Sequence, residues 1–65
     1  MAHTDALDQG RSAFARRQWR MAYVRLSAAD RDASLEPADL ERLATAAYLA
    51  GQDEQAVALW TRLHH

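Results

Sequence analysis

Residues 35–51 read Leu-Glu-Pro-Ala-Asp-Leu-Glu-Arg-Leu-Ala-Thr-Ala-Ala-Tyr-Leu-Ala-Gly, and this stretch decides the fold. Pro37 suits the first position of a helix, where no amide hydrogen is needed. Asp39 and Glu41 place negative charge near the positive end of the helix dipole. Gly51 readily takes the left-handed conformation that ends a helix. The stretch therefore predicts a helix that begins at Pro37 and stops at Gly51.

Three further helices are predicted around this one. Apolar residues recur at helical spacing along the whole chain, and β-branched residues, which favour strands, are almost absent. The expected bounds are a first helix from Thr4 or Asp5, as its cap, to Arg16 or Arg17, a second over residues 19–29, and a fourth capped by Asp53. The sequence thus predicts an all-α fold, with its least marked boundary at Arg17.

The second half of the chain repeats the first at a spacing of 34 residues. The matching positions are Gly10 and Ala44, Ala13 and Ala47, Phe14 and Tyr48, Ala22 and Ala56, Leu26 and Trp60, and Ala29 and Leu63. Helices approach closely where small side chains lie at the crossing, so Gly10 should contact Ala22, and Ala44 should contact Ala56. A fixed period of this length predicts two copies of one helical hairpin.

This pattern resembles the tetratricopeptide repeat (TPR) over about residues 5–65. A small residue at the eighth repeat position, alanine at the twentieth and a large apolar residue at the twenty-fourth follow that family, although its usual aromatic is displaced by one position to Phe14 and Tyr48. The resemblance implies two antiparallel hairpins, four helices in all, stacked as a fragment of a right-handed α-solenoid. Residues 1–65 would be a single domain, with repeat one at about 5–31 and repeat two at about 37–65.

Residues 14–23 and 35–51 are also similar to the N-terminal helical-repeat region of some bacterial LuxR-type transcriptional regulators. This second resemblance implies the regulatory (sensor or assembly) segment of a longer regulator, whose DNA-binding domain is not in this chain. The sequence leaves two functions open: a protein-interaction or oligomerisation module taken from a longer protein, and such a regulatory segment. The other domains of the parent gene would separate them.

Composition argues against several other classes of protein. With 65 residues and no cysteine, the chain has room for one small core and no disulfide or thiolate site. A net charge of −1 does not favour nucleic-acid binding, and the arginines of residues 11–25 are interpreted as a solvated face. The apolar runs are too short for a membrane span, so a cytoplasmic protein is expected.

Catalysis is not expected from these residues. The three histidines, His3, His64 and His65, lie at the termini, where frayed ends do not hold a catalytic geometry. The two glycines, Gly10 and Gly51, form no phosphate-binding motif. We therefore predict no enzyme activity, and no catalytic, cofactor or metal site.

Protein or peptide partners are expected instead. In repeat arrays the first helix of each hairpin lines the concave face, and the candidate contact residues there are Arg11, Phe14, Glu41, Thr45, Tyr48 and Leu49. Trp60 is expected to pack within its hairpin, whereas for Trp19 packing and partner binding are left open.

Self-association is expected from the last helix. The chain ends within it, repeat units do not bury their apolar faces alone, and no polar capping helix follows. The apolar side chains expected to associate are Val57, Leu59, Trp60 and Leu63. We expect a homo-oligomer, most simply a symmetric dimer.

Overall fold

The computed structural model describes the backbone of residues 2–64 and the side chains of residues 6–64. Within this part of the chain there are four helices and no strand. They are α1 (Ala2–Ala15), α2 (Trp19–Asp32), α3 (Pro37–Leu49) and α4 (Asp53–Leu63). The all-α prediction is confirmed. The expected caps Thr4 and Asp5, together with His3 and His65, have side chains outside the described residues.

Three of the four helices differ from the sequence prediction at an end. Helix α1 begins at Ala2, so Thr4 and Asp5 lie within it rather than at its cap, and it ends at Ala15 rather than Arg16 or Arg17. Helix α2 does not stop at Ala29 but continues to Asp32, because the amide of Ala33 still donates to the carbonyl oxygen of Ala29 (3.0 Å). Asp53 is not the cap of α4. Gln52 precedes the helix without a capping side-chain hydrogen bond, so Asp53 acts within the first turn, near the helix dipole.

The turns after α1 and α3 share one geometry. Arg17 and Gly51 both have positive φ, at 61° and 84°. The next amide reaches back five residues in each turn, from Gln18 to the carbonyl of Ala13 (2.9 Å) and from Gln52 to that of Ala47 (2.8 Å). This hydrogen-bond pattern, with a left-handed residue after the helix, is a Schellman motif. The boundary with the weakest sequence signal therefore has the same backbone as the one marked by glycine.

Helix α2 lies between α1 and α3, and α4 packs on α3. The main core cluster joins both hairpins and contains Leu26, Leu40, Leu43, Ala44, Ala47, Ala56 and Leu59. A second, smaller cluster brings Ala46 of α3 against Ala13 and Ala22, with Phe14 and Tyr23 packed beside them. The alanines keep the helices close, as expected from the repeat pattern.

Gly10 makes a contact that the sequence did not predict. A Cβ built on Gly10 would lie 2.6 Å from both Cγ and Cδ2 of Leu26. Because Leu26 is fully buried in the main core cluster, α1 can approach α2 at this point only if residue 10 has no side chain.

Candidate functional site

The six residues expected on a concave face do not share one surface. A shallow groove of about 290 Å³ contains three of them and is lined by Phe14, Ala38, Glu41, Arg42, Thr45 and Trp60. Arg11, Tyr48 and Leu49 lie outside this groove. The structure therefore brings Phe14, Glu41 and Thr45 together and separates the other three from them.

Arg11 is held in an ion pair with Asp39. Its Nε donates to Oδ1 of Asp39 (2.9 Å) and its Nη2 to Oδ2 (2.6 Å), and Nη1 of Arg42 donates to Oδ1 (3.0 Å). Asp39 is only 3% exposed. The hydrogen bonds from Arg11 hold the pKa of Asp39 below its ordinary value, against the opposing effect of burial. The two-pronged contact fixes α1 against α3.

The sequence gives little indication of this pair. Arg42 lies three positions after Asp39 on the same helix, which is a recognisable local spacing. Arg11 lies 28 positions before Asp39, and only the packing of the hairpins brings the two together. Much of the hydrogen-bonding capacity of Arg11 is thus used inside the molecule.

A second ion pair links α2 to α4. Nη1 and Nη2 of Arg62 donate to Oδ2 and Oδ1 of Asp30, at 2.8 and 3.1 Å. The amide of Leu35 also donates to Oδ1 of Asp30 (3.2 Å), so one carboxylate holds both the connection before α3 and the last turn of α4. The hydrogen bonds from Arg62 lower the pKa of Asp30, against the effect of burial.

The half-buried indole of Trp19 packs against Phe14. The two ring centroids are 5.3 Å apart and the rings meet edge to face, at 72°. This is a favourable aromatic geometry. Between the two roles left open by the sequence, the structure shows packing for Trp19.

The four residues expected to self-associate have different surroundings. Leu59 is buried in the main core cluster, and the half-buried side chains of Trp60 and Leu63 pack against that same cluster. Val57 is 65% exposed. Of the four, Val57 is the most exposed side chain, and Trp60 also lines the shallow groove.

Tyr48 and Val57 are exposed, although the equivalent positions of the first hairpin are half-buried. Tyr48 is 63% exposed, yet its counterpart 34 positions earlier, Phe14, is half-buried. The counterpart of Val57 is Tyr23, which is also half-buried. Phe14 and Tyr23 pack against the cluster that contains Ala46 of α3. Among the described residues, none covers Tyr48 and Val57 in the way that Ala46 covers this part of the first hairpin. We call these two residues and the helix faces around them the end surface.

An apolar patch on α2 was not expected from the sequence. Met21 and Val24 are 46% and 51% exposed. They border a surface depression of about 610 Å³ together with Gln18, Trp19, Arg20 and Arg25. Their spacing of three on one helix, which places both on one face, was the available signal.

Comparison of the chain with protein-family models, with curated proteins and with solved structures found no match. Between residues 2 and 64, no helix has the length and apolar character to cross a membrane. The described side chains form no group of three or more histidine, cysteine or carboxylate residues that could hold a metal ion. The exposed surfaces are therefore the features from which a function is argued.

Proposed function

We propose that this chain is a cytoplasmic, non-enzymatic module for protein interaction and oligomerisation, built from two TPR-like repeats that form a fragment of a right-handed α-solenoid. The matched turns support the repeat interpretation. Arg17 and Gly51 adopt the same left-handed conformation 34 positions apart, with the same hydrogen bonds around them. Helices α2 and α4 also begin 34 positions apart, at Trp19 and Asp53.

One observation carries the proposed function. Tyr48 and Val57 are the two most exposed large apolar side chains of the described residues, and they occupy positions that the first hairpin covers with α3. The fold covers these positions in the first hairpin and leaves the equivalent positions of the second hairpin exposed. An exposed apolar surface of this kind is suited to a protein partner. Tyrosine supplies large contact area at low entropic cost, which favours it at interfaces. The module therefore associates through the end surface, in the simplest case with another copy of itself.

The end surface can be tested by adding charge to it. We expect Tyr48→Glu and Val57→Glu each to weaken self-association at least about tenfold, because a charged side chain would have to be desolvated in place of an apolar contact. Sedimentation velocity over a range of protein concentrations measures the effect. Both positions are exposed, so circular dichroism should show unchanged helix content.

Leu49→Glu is the matched control. Leu49 follows Tyr48 on α3 and is 46% exposed, but its counterpart Ala15 stays exposed although α3 is packed nearby. The control variant should associate like the parent chain. If Leu49→Glu weakened association as much as Tyr48→Glu, or if the parent chain stayed monomeric at every concentration, self-association through the end surface would be wrong.

The shallow groove supports a second candidate, binding of a short peptide. Phe14 and Trp60 provide apolar walls. Of the two charged residues of the lining, Arg42 is paired with Asp39, which leaves the negative charge of Glu41 for a peptide. A basic peptide that enters the groove should change the fluorescence of Trp60 in a saturable way, measured in a Trp19→Phe background. The regulatory-segment alternative needs no other surface, since assembly of a regulator could use the end surface as well.

A further inference from the structure

The two ends of the molecule are chemically different. At the inner junction, Leu43, Ala46 and Leu59 of the second hairpin are buried in clusters shared with the first. Their counterparts 34 positions earlier are Gln9, Ser12 and Arg25, and all three are exposed. The outer face of the first hairpin therefore replaces apolar contact residues with polar ones.

This outer face is a groove rather than a smooth surface. The groove has a volume of about 350 Å³ and is lined by Asp8, Gln9, Ser12, Ala13, Arg16, Gln18, Met21 and Arg25. Small side chains, Ser12 and buried Ala13, leave room within it, and Met21 adds an exposed apolar wall. We call this the starting groove. It contains none of the residues that the sequence indicated for partner binding.

Charge is divided between the two ends. Residues 9–29 contain Arg11, Arg16, Arg17, Arg20 and Arg25 and no acidic residue. On the other hairpin, Glu41 on α3 and Asp53 and Glu54 at the start of α4 are exposed. The lining of the starting groove carries two arginines, Arg16 and Arg25, against one carboxylate, Asp8, so positive charge is in excess there. Asp53 and Glu54 lie within one helix turn of Val57 and give the end surface a negative border. Complementary potentials of this kind select the partner and its orientation.

The inner junction shows how such surfaces can meet. Phe14 and Tyr23 pack against the cluster to which α3 contributes Ala46. In the same register, Ser12 of a second copy would lie at the cluster beside Tyr48 and Val57 of the first. Serine is almost as small as alanine and can take its place.

In this arrangement an arginine of one copy lies opposite acidic residues of the other copy. Helices α2 and α3 are joined by a short connection and run antiparallel, which places the end of α3 beside the start of α2. By the same geometry, Arg16 at the end of a second copy's α1 would lie beside Asp53 and Glu54 of the first copy.

We propose that two copies associate head to tail, with the end surface of one in the starting groove of the next. The proposal rests on the proposed function and specifies its partner and orientation. It replaces the symmetric dimer expected from the sequence, because a twofold axis through the end surface would bring the acidic borders of both copies together. A head-to-tail contact leaves one free surface at each end, so it continues into longer chains or a ring.

Two singly blocked variants test the orientation. Ser12→Glu combined with Arg16→Glu blocks the starting groove, and Val57→Arg blocks the end surface, because it would place a positive charge against Arg16 and Arg25. Each variant keeps one intact surface. Alone, each should be monomeric in sedimentation velocity; mixed in equal amounts, they should form a one-to-one dimer that does not grow with concentration. The parent chain should grow with concentration.

Other outcomes would overturn the proposal in distinguishable ways. If the starting-groove variant still dimerised alone, the end surfaces would pair symmetrically, and the head-to-tail arrangement would be wrong while the proposed function held. If the parent chain were monomeric at all concentrations, both would be wrong. Salt gives an independent readout: raising it from about 0.05 M to about 0.5 M should weaken the contact by about tenfold, because exposed charge pairs are screened. Association that salt left unchanged or strengthened would contradict a contact between opposite charges.

Discussion

At the level of single residues, Gly10 is a position of α1 that packs directly against Leu26 of α2. Alanine would raise the intrinsic helix propensity, which favours it by up to about 1 kcal/mol. Its Cβ would, however, lie 2.6 Å from two side-chain carbons of Leu26 and 3.1 Å from the backbone nitrogen of Leu26. Leu26 is fully buried and has no free space to move into.

We therefore expect Gly10→Ala to destabilise the fold by about 1–3 kcal/mol, the usual cost of overpacking a core. Urea unfolding followed by circular dichroism measures this change. Gln9→Ala is the control, because Gln9 is exposed on the same helix and can gain only propensity. A Gly10→Ala variant as stable as Gln9→Ala would show that the helices separate without cost at this crossing.

At the level of helices and turns, the two Schellman motifs allow a reciprocal experiment. Arg17 holds a left-handed conformation (φ 61°) that disfavours residues with a Cβ, whereas Gly51 (φ 84°) accepts it. Arg17→Gly should stabilise the chain by about 0.5–1 kcal/mol, and Gly51→Arg should destabilise it by about 1 kcal/mol. No atom lies within 4 Å of a Cβ built on Gly51, so its variant tests backbone strain alone.

Thermal unfolding of both variants measures the two effects. The combined variant, with the residues of the two turns exchanged, should have nearly the stability of the parent chain. Equal destabilisation by both single changes would contradict the shared geometry, since it would mean that Arg17 is favoured over glycine in its own turn.

The helices and their ends were largely accessible to sequence reasoning because their signals are local. Pro37 and Gly51 act within one helix turn, and both helix ends that they predict are found in the structure. The turn at Arg17 contains neither glycine nor asparagine, the residues that usually mark such a turn. Its position was predicted mainly from the repeat. The prediction that Asp53 caps α4 was wrong, because an acidic residue is favourable both at the cap and in the first turn of a helix.

The surface could be predicted less well than the helices. Whether Leu59 or Val57 is exposed depends on how α4 rotates against α3, and residues two positions apart on a helix point to different sides. The pairing of Arg11 with Asp39 depends on the packing of both hairpins. A helical repeat indicates which positions are equivalent. It does not show which of them the molecule leaves uncovered.

At the level of the whole molecule, two buried or half-buried carboxylates connect elements that are distant in the sequence. Asp39 holds Arg11 of α1 against α3, and Asp30 holds Arg62 of α4 against the end of α2. Both carboxylates have a pKa below the ordinary value of 3.8, chiefly because of the hydrogen bonds from these arginines. The charged forms are therefore favoured by folding.

This lowering fixes how stability depends on pH. In the acid range the unfolded chain binds protons at these carboxylates before the folded chain does, so stability falls as pH falls. The contribution of both ion pairs is complete well above pH 3.8, and it is lost as the pH falls below that value and through the lower pKa values of the folded state. We expect the urea midpoint to fall between about pH 5 and about pH 3.

The Asp30→Asn, Asp39→Asn double variant should be less stable at neutral pH, but its midpoint should change less over the acid range. Asp8→Asn is the control, because Asp8 is exposed and 4.0 Å from Arg11, so its loss should leave the pH dependence almost unchanged. If the double variant kept the full acid sensitivity of the parent chain, groups other than Asp30 and Asp39 would control the pH dependence of stability. The two ion pairs would then not be the contacts that hold the hairpins together.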